Sequence, residues 1–374
     1  MLGRRRVLVG PPLVPGRTGL VLARTRPERH PRYGPQERVL ETRPLEPEEA
    51  TGPLLASLQG DLVRYLELLA EAGHTAYPVH LLASRLGVPE KELARRLEGQ
   101  AVLHLGHAGL EAHFHQEKAV LALVQRGRFR ALRPPPDHTL SPSQAQVFRL
   151  FAQGRVAALT GGPGTGKSHT VAAFLRSPDL GGLPVALAAP TGKAARRLSE
   201  LSGREALTLH RLLRYTGDPR RPFFYRQGNP LPHRLVVVDE AGMVDLPLMA
   251  HLLQALPKEG LLLLVGDPHQ LPPVGPGEPF PDLLPRIPHL RLTEVRRQKA
   301  ESGVARAAAL LLEGREPSLE AEDFQLHLLE ASPEDMAREA VRLYEALRAE
   351  VGEVVLLTPT NGGPIGVYAL NARL

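Results

Sequence analysis

Five short apolar runs recur through the middle of the chain, at 156–159, 185–189, 235–238, 261–265 and 290–292. Each is too short for a helix and is bounded by turn residues, the pattern of a strand buried on both faces. Between them, 191–201 and 246–256 carry apolar residues at helical spacing, and 169–175 reads as the start of a helix. Strand and helix therefore alternate, which predicts a parallel sheet covered on both sides and places this region in the α/β class. A second strand–helix–strand set follows at 324–329, 333–349 and 354–357.

Upstream the pattern changes. Leu62, Tyr65, Leu66 and Leu69 share one helical face, 79–86 and 90–97 read as two short helices, and 101–105 with 110–114 as a β-like pair. Helices followed by a small hairpin suggest a winged-helix-like module over 59–133, an α+β region ahead of the parallel sheet. Residues 1–58 are rich in Arg, Pro and Gly and are read as a segment with a possible small β unit. The stiff segment Arg133-Pro134-Pro135-Pro136-Asp137 is the expected domain boundary. It divides the remainder into one complete α/β domain over 134–288 and an incomplete second one over 289–374.

The richest chemistry follows the first run. Gly161-Gly162-Pro163-Gly164-Thr165-Gly166-Lys167-Ser168 fits the phosphate-binding pattern G-x-x-x-x-G-K-[ST] between a strand and a helix that opens with His169. Glycines let backbone N–H groups wrap a phosphate, and the helix N-terminus adds its dipole to the same anion. Lys167 can reach the β- and γ-phosphates of ATP, and the Ser168 hydroxyl can ligate Mg²⁺. Only six of the 46 basic residues are lysines, and one of them is kept at 167. A guanidinium fork cannot replace a compact ammonium in such a cradle.

Other candidates stand at the ends of later runs. Asp239 and Glu240 close the third run, where Asp239 can hold Mg²⁺ and Glu240 can orient and deprotonate the attacking water. Gln270, after the fourth run, can bond the γ-phosphate or that water. Arg297, after the fifth, either reaches a γ-phosphate or lies on the surface paired with Glu294. Pro190, Thr191 and Lys193 open a helix in a way suited to a phosphodiester backbone, and Thr208 with His210 forms a similar polar start.

Charge and composition narrow the partners. The net charge is +6, with nine arginines against Glu28 and Glu37 in residues 1–40 and four more between Gln125 and Arg133. Both stretches suit a polyanion. There is no cysteine, which excludes disulfides, zinc–thiolate sites and thiol nucleophiles and points to a reducing cytoplasm. No apolar run reaches 18 residues, so no membrane span is expected.

Taken in order, the segments between 140 and 300 resemble those of RecD-like DNA helicases of superfamily 1. Leu140-Ser141-Pro142-Ser143-Gln144 resembles the family's adenine-recognising glutamine motif, and the stretches 189–196, 208–213, 238–245, 265–277 and 292–298 resemble its successive motor motifs. Residues 358–366 with Ala369-Leu370-Asn371 resemble the start of the second motor domain's DNA contacts, which implicates Thr358 and Asn371. The resemblance implies a RecA-like P-loop NTPase fold. It also implies ATP and Mg²⁺ as cofactors, single-stranded DNA and duplex junctions as partners, and translocation in the 5′ to 3′ direction. The sequence departs from the family at Gly242, His269, Arg296 and 360–362. The family's later motifs have no counterpart up to Leu374, which implies a carboxyl-terminally shortened motor that binds ATP but hydrolyses slowly and unwinds poorly. Two other readings stay open: a non-motor ATP- and DNA-binding regulator, and a P-loop kinase.

Overall fold

The computed structural model describes residues 4–8, 21–30, 34–44, 62–71, 74–104, 107–125, 127–136, 139–162, 164–294, 303–313, 315, 320–321, 324–325, 331–358 and 361–374. They fall into two compact units, Met1–Arg296 and Arg297–Leu374.

At the amino terminus three strands, β1 (Arg4–Leu8), β2 (Val21–His30) and β3 (Gly34–Pro44), form an antiparallel sheet in that order. A small α+β module comes next. Its elements are α1 (Leu62–Glu71), β4 (Ala76–Pro78), α2 (Val79–Leu86), α3 (Glu90–Leu97), β5 (Val102–His104) and β6 (His107–Gly109), with the strands antiparallel in the order β4-β6-β5. Tyr65, Leu66, Leu69, Leu82, Leu93 and Leu97 bury its core.

One sequence expectation fails at the end of this module. Residues 110–114 are not a strand: α4 spans Glu111–Val124. The alternation of Leu110, Ala112 and Phe114 mimics period two, but Val120 and Val124, one helical turn apart, are the positions that reach a core. The chain leading into the proline segment is anchored on the α/β domain. Phe129 N–H donates to the Phe151 carbonyl at 2.8 Å, Leu132 N–H to the Phe148 carbonyl at 2.7 Å, and Ser177 Oγ to the Arg133 carbonyl at 2.7 Å. Arg130 and Arg133 pair with Asp179, and the hydrogen bond from Arg133 holds that carboxyl below its ordinary range. Two of the four arginines in the basic stretch are thereby engaged with the α/β domain.

That domain is built on β7 (Val156–Gly161), β8 (Val185–Ala189), β9 (Ala206–Thr208), β10 (Leu235–Val238), β11 (Leu261–Gly266) and β12 (His289–Leu292). All five pairings are parallel, in the order β12-β7-β11-β10-β8-β9. The 289–292 strand, assigned from sequence to the second domain, is hydrogen-bonded at this sheet's edge with His289 opposite Ala158. Strands β7, β10 and β11 are buried at every position. Their alternate residues feed two cores: Val156, Val236 and Leu262 lie on one side, Ala157, Val237 and Leu263 on the other. Burial on both faces is why these strands read as unbroken apolar runs. The connecting helices are α5 (Lys167–Leu175), α6 (Gly192–Ser202), α7 (Leu209–Leu212), α8 (Leu246–Ala255) and α9 (Pro279–Leu283). Helix α4 packs on α8 and covers the first face, and a 3₁₀ stretch at Gln144–Ala152 covers the second.

The second unit contains α10 (Gly303–Leu312), the two-residue strands β13 (Glu320–Ala321) and β14 (Phe324–Gln325), α11 (Pro333–Val351) and α12 (Val367–Asn371). Helix α11 begins as its sequence predicts: Ser332 Oγ accepts the Asp335 N–H, Pro333 occupies the first turn, and Glu334 and Asp335 meet the positive end of the dipole. The expected strand at 354–357 does not form. Val355 and Leu357 are 80% and 86% exposed, and no described strand lies beside them to complete a ladder. Of the strand expected over 324–329, residues 324–325 pair with β13, and 326–330 lie outside the described residues.

Candidate nucleotide and nucleic-acid site

Strand β7 delivers the phosphate loop at the carboxyl edge of the sheet, where parallel strands present their ligand-binding ends. Gly164 and Gly166 hold φ of +78° and +86°, left-handed values that side chains resist. Gly166 is doubly constrained, because a Cβ there would lie 2.5 Å from Gln144 Nε2. Gly166→Ala is therefore expected to weaken ADP binding at least tenfold, by strain of about 1–2 kcal/mol plus displacement of Gln144. Calorimetric titration checks this, with circular dichroism confirming the fold.

Lys167 opens α5, and its Nζ donates to the carbonyls of Gly161 at 2.5 Å and Gly162 at 3.0 Å. Burial lowers its pKa, while Asp267, Glu240 and Asp239 counteract that shift. Ser168 is the next residue in the first turn of α5.

Asp239 and Glu240 follow β10 directly. The Glu240 N–H donates to Asp239 Oδ1 at 3.0 Å, and Glu240 sits at φ +53°, ψ +42°. A non-glycine residue held left-handed costs about 1 kcal/mol or more, a strain that concentrates at functional positions. Burial raises the pKa of both carboxyls, and for Glu240 the neighbouring Asp239 charge adds to the shift. Beyond β11, the buried Asp267 accepts the His269 N–H at 3.0 Å, and Gln270 is exposed in the turn that Asp267 starts.

On the other side of the loop lies a cavity of about 250 Å³ lined by Gln144, Gly166 and His169 among others. Ser141 N–H donates to Gln144 Oε1 at 3.1 Å, and His169 Nε2 lies 3.1 Å from Thr139 Oγ1.

The far end of the same sheet edge has a different character. Register places Ala189 at the end of β8 opposite Thr208 at the end of β9. Pro190 is half-buried there, and Lys193 is exposed one residue into α6. Thr191 Oγ1 caps α6 by accepting the Ala194 N–H at 3.2 Å, and Thr208 Oγ1 caps α7 by accepting the Arg211 N–H at 3.3 Å. Two helix N-termini thus begin side by side. Next to them a hairpin spans 213–229, with Tyr215 paired to Phe223. His210 meets Tyr215 and Phe223 with ring centroids 5.8 and 5.7 Å away. Tyr215 and Phe224 are 59% and 46% exposed, and the Arg214 guanidinium lies 5.6 Å from the Phe224 ring centre.

A phosphate loop, a paired acid after a buried strand and a base-sized cavity on one sheet edge agree with the sequence comparisons. A family model described as an AAA domain matches residues 139–330, just over half of the chain. The chain belongs to the AAA domain family. Among curated relatives, it is 44% identical over 235 residues to an ATP-dependent RecD2 DNA helicase of Deinococcus radiodurans, covering 63% of this chain and 32% of that protein. It is 43% identical over 175 residues to a RecBCD enzyme subunit RecD of Mycolicibacterium smegmatis, covering 37% and 32%. It is 33% identical over 153 residues to the ATP-dependent DNA helicase dda of Enterobacteria phage T4, covering 38% and 35%. The chain spans about a third of the length of these relatives. They identify it as a relative of RecD-like superfamily 1 helicases, and the parallel sheet is that of a RecA-like P-loop fold.

The AAA domain brings Gln144, Gly161, Gly162, Gly164, Thr165, Gly166, Lys167, Ser168, His169, Asp239, Glu240 and Gln270 to one edge of the sheet, and Pro190, Thr191, Lys193, Thr208 and His210 to its β8–β9 end. Pro163 and Arg297 lie outside the described residues. Thr358 and Asn371 belong to the second unit, where Thr358 Oγ1 donates to the Ile365 carbonyl at 2.5 Å and Asn371 is exposed at the end of α12. Sequence reasoning overlooked Arg197 of α6, whose charge acts on Lys167, Asp239 and Glu240 together. It also overlooked the hairpin, although four arginines and four aromatic residues between 214 and 226 were a visible signal.

Proposed function

We propose that this chain is the ATP-hydrolysing part of a DNA helicase that moves along single-stranded DNA. The observation that carries the reading is the sharing of one sheet edge. The lysine–carboxylate site stands at β7 and β10, and two capped helix N-termini with a basic aromatic hairpin stand at β8 and β9. A conformational change driven at the first has a short path to the second.

In this reading the loop N–H groups and Lys167 hold the β- and γ-phosphates. Ser168 and Asp239 would hold Mg²⁺, whose other ligands phosphate and water would supply. The donors fit that division: Ser168 lies in the first turn of α5 beside Lys167, and Asp239 follows directly on the buried strand β10. Bound Mg²⁺ would neutralise charge on the phosphate oxygens. Glu240, with its raised pKa, accepts the proton of the attacking water, Gln270 senses the γ-phosphate, and Arg297 offsets developing charge.

Pro190, Thr191, Lys193, Thr208 and His210 would contact the DNA backbone, Thr358 and Asn371 would contribute from the second unit, and Tyr215 and Phe224 would stack on bases. The 59–133 region is read as winged-helix-like. Movement is assigned the 5′ to 3′ direction, which unwinding of 5′- against 3′-tailed duplexes tests. The cysteine-free composition supports a cytoplasmic setting, and no helix among the described residues is long and apolar enough to cross a membrane.

The deciding experiment is ATP hydrolysis with and without single-stranded DNA, beside Lys167→Ala. Stimulated turnover that disappears in the variant is the expected result. ATP binding without any stimulation favours the regulator reading, and phosphate transfer to a small acceptor favours a kinase.

A further inference from the structure

We propose that Glu294 sets the base preference of the nucleotide cavity, admitting a purine with an amine at C6 and rejecting a purine with a keto oxygen there. The proposal rests on the reading of the loop as a nucleotide site.

Gln144 contributes only half of the recognition an adenine base requires. The Ser141 N–H fixes its amide by donating to Oε1 at 3.1 Å, so the Nε2 end is the one packed against Gly166 at the cavity wall. That end donates and can serve the purine N7, but it cannot receive the exocyclic amine. An acceptor must come from elsewhere in the cavity.

Glu294 lines the same cavity and arrives from the end of β12. Ser143 Oγ donates to Glu294 Oε1 at 3.1 Å, and Ser143 Oγ is itself 2.8 Å from Ser141 Oγ. This hydroxyl relay ties Glu294 to the segment that orients Gln144, although 151 residues separate Ser143 from Glu294. An ionised carboxylate is acceptor-only. With Oε1 held by Ser143, Oε2 has no partner among the described residues and is available to an exocyclic amine. A 6-keto oxygen would face the carboxylate as acceptor against acceptor, a repulsive pairing that discriminates by exclusion. Glu294 is exposed, so solvent limits the discrimination to about tenfold.

The test is calorimetric titration of the full chain with ADP, GDP and purine riboside 5′-diphosphate, which lacks the C6 substituent. The unaltered chain is expected to bind ADP about tenfold more tightly than either competitor. Glu294→Ala should bring ADP and the unsubstituted diphosphate to the same affinity. Glu294→Gln, whose amide can donate, should improve GDP binding. An ADP preference that survives Glu294→Ala unchanged overturns the proposal while leaving the nucleotide site intact. Absence of all nucleotide binding by the unaltered chain overturns both. Lys167→Ala is the contrasting control, because it should weaken all three diphosphates by the same factor.

Discussion

Glu240→Gln is expected to lower ATP turnover about 10²–10⁴-fold while making the folded chain more resistant to heat. Both effects have one cause. Burial, and then the adjacent Asp239 charge, raises the Glu240 pKa, which is what a base acting near neutrality needs. The same shift means that the folded chain holds this proton more tightly than the unfolded chain does. Native stability therefore falls as pH climbs from the unfolded carboxylate value, about 4.3, through the raised folded one. Glutamine removes that loss. The midpoint of thermal unfolding should rise by about 2 °C at pH 7, and the gain should vanish below about pH 4, where the native glutamate is already protonated. Calorimetric melts at the two pH values check the sign. A destabilised variant at pH 7 would mean that the Glu240 carboxylate is a structural anchor rather than a poised base.

The double variant Tyr215→Ala, Phe224→Ala should lose about 30-fold or more in affinity for an oligo-dT strand. Base–aromatic stacking contributes about 1–3 kcal/mol per base, and two exposed rings are removed. Because the Tyr215 ring also meets buried Phe223 edge-on at 5.7 Å, circular dichroism must show the double variant folded before its affinity is read. The salt dependence separates stacking from charge. The double variant should keep the slope of log affinity against log salt, because no phosphate contact is lost. Arg220→Gln with Arg221→Gln should flatten that slope by up to about 1.4 for a single strand. Fluorescence anisotropy at two salt concentrations measures both. If the aromatic variant binds as tightly as the unaltered chain, the hairpin is not a stacking platform.

The parallel sheet was legible because its strands have no solvent face. Leu235–Val238 and Leu261–Gly266 bury every side chain, so apolar content alone marked them. The loop and the acids were legible because their chemistry is local to a motif. What escaped depends on partners distant in sequence. Helix α4 buries Val120 and Val124 against a core that α8 builds more than a hundred residues away. The anchor of Arg133, at the start of the proline segment, is Asp179, 46 residues away. Glu294 looked like a surface partner for arginine until its carboxylate met Ser143. The stretch 354–357 shows the reverse error, since an apolar run becomes a strand only where neighbours offer it a ladder.

The position of β7 bears on how the molecule is made. This strand precedes both of its neighbours in the chain, and they close on it only when β11 and β12 exist. During synthesis at about 5–20 residues per second, the phosphate loop emerges and then waits on the order of ten seconds before residues 261–292 can flank it. Through that interval a strand that is buried at every position in the finished fold stands without its ladder, so the nucleotide site is among the last parts of the first unit to assemble. A nucleotide that binds only the finished loop would then act as a late lock on a fold already committed, rather than as a seed for it.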